Sequence, residues 1–123
     1  MRTLAALAAA LLLALAAPAL ATEQAAAVMA DIVAGMNHFP NDEQKSMLED
    51  ISADEEVDEN LRTIAEAIGN IEHQPADADK AKLQAIVEDE EAEESEKTLA
   101  GAVLRFNHQV AAEDKAALQA LSE

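Results

Sequence analysis

Apolar residues recur along this chain at helical intervals. Val57, Leu61, Ile64, Ile68 and Ile71 follow one another at steps of four, three, four and three, which places them on one stripe of a helix. A matching stripe towards the C-terminus is Leu99, Val103, Phe106 and Val110. Another, towards the N-terminus, is Met29, Val33 and Met36 with Ile32 beside it. No stretch alternates apolar and polar positions as a half-buried strand does. The pattern predicts an all-α protein.

The stripes repeat at a fixed distance. His38, His73 and His108 stand 35 residues apart, and shifting the chain on itself by 35 aligns it without a gap. Residues 64–88 match 99–123 at 12 of 25 positions, where about two or three matches arise by chance, and 29–63 match 64–98 at 12 of 35. Each unit has a long apolar-striped segment reaching its histidine, a short break, and a second helix marked by Lys45, Lys80 or Lys115 and by Leu48, Leu83 or Leu118. Ile51, Ile86 and Leu121 extend the apolar face of that second helix. Pro40 and Pro75 disfavour helical dihedrals in the residue before them, so each long helix is expected to end near its histidine. Asn41 followed by Gln44 is an N-cap with a partner three residues on, which starts the second helix.

Six helices follow, over about 24–38, 42–52, 57–73, 77–88, 94–109 and 112–122. They form three tandem helical-hairpin repeats, with units at about 29–63, 64–98 and 99–123, arranged as a short α-solenoid or a compact six-helix array.

Residues 1–21 read differently. Arg2 is followed by a run of Leu and Ala from Leu4 to Ala17, then Pro18 and the small residues of Ala19-Leu20-Ala21. This is the layout of a cleaved signal peptide, its apolar run short of the roughly 20 residues of a permanent membrane span. The expected mature protein is one domain, residues 22–123, in the periplasm or secreted. The absence of cysteine excludes disulfides and a lipid-modified cysteine.

Charge narrows the partners. Without Arg2 the chain keeps seven basic residues against 25 acidic ones, a formal charge of −18. Such a field repels nucleic acid and anionic membranes, both of which need basic surface to dock, and leaves cations or another envelope protein as charge-matched partners.

The repeated histidines carry the candidate chemistry, since imidazole is the commonest metal ligand. His38 with Asp42 and His73 with Asp77 form a His-x-Pro-x-Asp pattern, which the third unit replaces with His108, Ala112, Glu113 and Asp114. The candidate metal ligands are therefore His38, His73, His108, Asp42 and Asp77. Packed helices lie roughly 8–10 Å apart, so equivalent atoms in a linear stack stay at least that far apart. Ligands on one zinc ion lie within about 4 Å of one another, given bonds of about 2.0–2.1 Å. A linear stack would thus keep the histidines apart, and only a closed pseudo-symmetric arrangement would bring them to one ion. The bland reading is preferred: each histidine finishes a helix, where its imidazole meets the last carbonyls.

The acidic connectors, residues 54–59 and 88–96, contain no glycine and no Asp-x-Asp-x-Asp-Gly loop for calcium. They are expected to be solvated, with negative charge at the next helix N-terminus. No nucleophile has an accompanying motif, and two phenylalanines are too few aromatics to line a substrate pocket. The sequence therefore predicts a non-enzymatic exported helical-repeat protein without an organic cofactor, a protein-interaction or stress and accessory factor. The alternative is a small acidic divalent-metal-binding protein using the His/carboxylate helix junctions.

Overall fold

The structure, a computed structural model, describes residues 21–122. The expected leader lies outside the described residues, apart from Ala21. Six helices and no strand are found among the described residues: α1 over 21–35, α2 Asp42–Ala53, α3 Glu59–Gly69, α4 Asp77–Glu88, α5 Glu94–Leu104 and α6 Ala112–Ser122. The chain is an all-α six-helix array, and no described helix is long and apolar enough to cross a membrane.

Burial divides the helices into two kinds. α1, α3 and α5 are central. Met29 and Val33, then Leu61, Ile64 and Ile68, then Leu99 and Val103 are all inaccessible to solvent. α2 and α6 each bury one large apolar side chain, Leu48 and Leu118, and α4 buries Leu83 and Ile86. The outer helices thus cover the central ones, as α2 packs on α3, α4 on both α3 and α5, and α6 on α5. The heptad-like stripes explain the division, because a stripe of large apolar residues on each long helix can be covered only by turning inward.

The units close on one another instead of extending in a line. Residues of the first and last units, 70 and 72 positions apart, are joined by side-chain contacts from His38 to His108 and from Gln109 to Asn37. At the other end of the central helices, Asp58 N–H donates to Thr22 Oγ1 at 3.2 Å and Asn60 Nδ2 to Glu96 Oε1 at 3.0 Å. The three central helices therefore run in one direction, with their N-termini gathered at one pole and their C-termini at the other.

The central helices stop sooner than the periodicity predicts, at residue 35, Gly69 and Leu104, three or four residues before each histidine. The apolar stripe does not stop with them. Met36, Ile71 and Phe106 lie past the last residues of α1, α3 and α5 yet remain buried, so the stripe persisted in sequence after the helix had ended. The Asn70 N–H closes α3 on the Glu66 and Ile68 carbonyls, and Arg105 closes α5 on Gly101 and Val103. Each closing side chain then reaches the following helix: Asn70 Nδ2 donates to Asp79 Oδ2 at 3.2 Å, and Arg105 makes a bidentate pair with Asp114 at 2.7 and 2.9 Å. These clamps fix the turn between the two helices of a unit. The expected capping box is present, with Asn41 Oδ1 accepting from Gln44 N–H at 2.8 Å and Gln44 Oε1 from Asn41 N–H at 3.0 Å. Such a cap contributes about 1 kcal/mol.

At the acidic pole one carboxyl occupies a core position. Glu96 stands 35 residues after Leu61 and 70 after Ala26, and is 2% exposed. Burial, with the neighbouring Asp58 carboxyl, raises its pKa above the ordinary 4.5, against the lowering effect of its bonds from Asn60 and from the Glu93 N–H. The folded state then holds this proton more tightly than the unfolded chain does. Its contribution is most favourable at or below pH 4.5 and is lost as pH rises through the folded pKa. Replacing it, as in Glu96→Gln, is expected to raise Tm above wild type at pH 7.5, with the gap closing as pH falls towards 4. A gap independent of pH, measured by thermal melts across that range, would remove ionisation of Glu96 as its cause.

Candidate metal centre

At the opposite pole the chain makes the same tight turn three times, and a histidine is the apex of each. The residues on either side of it pair with each other: Asn37 with Phe39, Glu72 with Gln74, and Asn107 with Gln109. To reverse so sharply the apex backbone enters the left-handed region, with φ of 66° at His38, 68° at His73 and 66° at His108. These are the only non-glycine residues with positive φ among those described. For an L-residue this conformation costs roughly 1–2 kcal/mol, whereas glycine adopts it freely. A turn needing only its shape would be served better by glycine.

The three apexes meet. The His38 N–H donates to the His108 carbonyl at 2.6 Å, the His108 N–H to the His73 carbonyl at 2.6 Å, and the His73 N–H to the His38 carbonyl at 2.7 Å. This closed ring of main-chain bonds lies about a pseudo-threefold axis and satisfies one donor and one acceptor of each histidine. It also orients the side chains. The imidazole centroids are 5.0, 5.1 and 4.9 Å apart, nearly an equilateral triangle. His38 Nδ1 lies 3.1 Å from His108 Nδ1 and 3.2 Å from His73 Nδ1.

Hydrogen bonding among the rings does not account for this convergence. A neutral imidazole Nδ1 carries either one proton or one lone pair. The Nδ1 of His38 faces two others, and one proton cannot serve both well, nor can one lone pair accept from both. A cation on the axis resolves the conflict, because three lone pairs then point at one positive centre. The dimensions suit it: a tetrahedral ion with bonds of about 2.0–2.1 Å sets its ligand nitrogens about 3.3–3.4 Å apart. The two observed separations fall short by about 0.1–0.3 Å, a difference that small ring rotations absorb. All three rings are exposed, so the protein supplies one face of three nitrogens and leaves the outer face open to solvent.

The sequence-predicted ligands divide into two groups. His38, His73 and His108 come together, each with a ligating nitrogen within 4.8 Å of the others. Asp42 and Asp77 stand in the first turns of α2 and α4 and are not part of that close group. Asp77 is instead paired with Lys80 at 3.8 Å, fully exposed to solvent. The imidazoles also do not cap the helices in the expected way, since their ring nitrogens approach one another and the helix ends are closed by Asn70 and Arg105.

Around the triangle runs a polar rim that sequence reasoning missed. Gln109 Nε2 donates to Asn37 Oδ1 at 2.8 Å and Gln74 Nε2 to Asn107 Oδ1 at 3.4 Å, each linking adjacent turns. The signal was present in the recurrence of amide residues beside the histidines, but it gains meaning only once the turns are known to meet. The acidic connectors fold as expected of solvated segments, with Asp54 and Asp89 each accepting the N–H of the residue two places on. They line a cavity of about 770 Å³, open, at the far pole from the histidines. Its size and the chemistry therefore part company, and the small exposed triangle is the site that ligand geometry singles out.

No protein-family model, curated protein or solved structure matches the chain.

Proposed function

We propose that this is a small exported protein that binds one divalent transition-metal ion through His38, His73 and His108, as a carrier or buffer and not as an enzyme. The observation that carries the reading is the convergence of three Nδ1 atoms at the apexes of three left-handed turns. Of the two roles expected from the sequence, it favours metal binding. Three imidazoles suit zinc, copper, nickel or iron, while calcium and magnesium prefer an all-oxygen set. The acidic surface supports the role, since its field raises the local concentration of cations. The leader-like N-terminus supports export.

Calorimetric titration with zinc, copper and nickel tests the proposal. One ion per chain is expected. Each of His38→Ala, His73→Ala and His108→Ala should weaken binding by more than about 10-fold, and the triple variant should lose the site. Asp42→Ala and Asp77→Ala should leave affinity within a few-fold of wild type. A triple alanine variant that binds as wild type does would end the proposal.

A further inference from the structure

The rim around the metal triangle is bridged by amide pairs at two edges and not at the third. In each turn the residue after the histidine reaches the residue before the next one. Gln109 reaches Asn37 and Gln74 reaches Asn107, but the third pair is Phe39 and Glu72. No amide bridge can form there. Instead a cavity of about 440 Å³ opens between the first two turns, lined by Phe39, Lys45, Asn70, Glu72 and the ligand His73. Phe39 is 54% exposed, one of two exposed large apolar side chains among the described residues.

We infer, resting on the metal-binding reading, that the fourth coordination position takes an imidazole from outside the chain, admitted at the Phe39–Glu72 edge. An imidazole has the three features this edge can use. One nitrogen supplies a lone pair to the metal. The opposite N–H is a donor for which Glu72 is the available carboxylate, the carboxylate–imidazole–metal relation that orients metal-bound histidines and raises their basicity. The flat ring offers a face or edge to Phe39. A carboxylate ligand would instead meet Glu72 and a chain of net charge −17. A thioether would leave Glu72 without a role. The ligand is thus free histidine or a histidyl side chain of a partner, and Lys45 separates the two because only the free amino acid brings an α-carboxylate to it. Such a ligand suits a carrier, since an incoming histidine can begin to take the ion without disturbing the three protein bonds.

The test uses the full mature chain loaded with cobalt(II), whose visible bands report coordination. Titration with imidazole should change those bands, with an affinity at least about 10-fold tighter than that of acetate. In the double variant Phe39→Gln, Glu72→Asn, which restores the amide pair, imidazole should bind about 10-fold more weakly while cobalt affinity stays within a few-fold of wild type. Free L-histidine binding more tightly than a blocked histidyl amide, with the advantage lost in Lys45→Ala, assigns the position to the amino acid. Equal binding of the two assigns it to a partner's side chain. Bands unmoved by imidazole, or a double variant that binds it as wild type does, overturn the inference and leave the metal site standing. Failure to take up cobalt, zinc or copper at all would instead overturn the reading beneath it.

Discussion

Saturating zinc is expected to raise the Tm of this protein by about 10–20 °C, and the triple variant His38→Gly, His73→Gly, His108→Gly is expected to show none of that rise. An ion present at about 100 times its Kd stabilises the folded state by about 2.7 kcal/mol, and each kcal/mol moves the Tm of a domain this size by about 4–8 °C. The metal-free variant gives the sharper result. Each histidine holds φ near 66–68°, where glycine relieves a strain of roughly 1–2 kcal/mol, partly offset by the greater freedom of glycine in the unfolded chain. Without metal the triple glycine variant should therefore be as stable as wild type or more so, by up to about 3 kcal/mol. Strained non-glycine residues persist where function requires the side chain. Equilibrium denaturation of both proteins with and without zinc checks this. A metal-free triple variant much less stable than wild type would show that the imidazoles hold the turns together by themselves, and the argument from strain would fail.

The second large effect concerns the floor beneath the triangle. The chain has two phenylalanines, and they behave oppositely. Phe106 is 1% exposed and lies two residues before His108, past the end of α5, in the core cluster that also holds Ile71 and Met36. Phe106→Ala is expected to cost about 3–5 kcal/mol through lost burial and the cavity left behind. A domain of this kind has only about 5–15 kcal/mol in total, and carboxylate repulsion places this chain towards the lower end. The variant should be partly unfolded at 37 °C and should bind zinc weakly, because the turn presenting His108 loses its support. Phe39→Ala, at an exposed position, should change stability by less than about 0.5 kcal/mol. Urea melts of the two variants make the comparison, and similar losses from both would contradict the buried placement of Phe106.

Much of this architecture was legible in one dimension. The steps of three and four among Val57, Leu61, Ile64, Ile68 and Ile71 mark one face of a helix, and all five residues are buried, Leu61, Ile64 and Ile68 within α3 and Val57 and Ile71 just outside its ends. Asn41 and Gln44 are a local signal, complete within four residues, and the cap they predict is formed. The stripe also misled by running on through Ile71 and Phe106. Periodicity records which side chains are buried and not whether the backbone beneath them is still helical.

The centre itself was visible only as a spacing. Thirty-five residues between histidines is compatible with a line of junctions and with a closed ring, because sequence separation sets the length of chain and not the direction in which units stack. Closure follows from three central helices packing side by side with their C-termini together, so that units one and three touch as units one and two do. That is a long-range property, carried by contacts 35 and 70 residues apart, and no local pattern encodes it. The left-handed apexes depend on it as well. An isolated peptide would relax His38, His73 and His108 out of that conformation, and it is the ring of main-chain bonds among the three turns that holds them there and turns three separate junction residues into one candidate site.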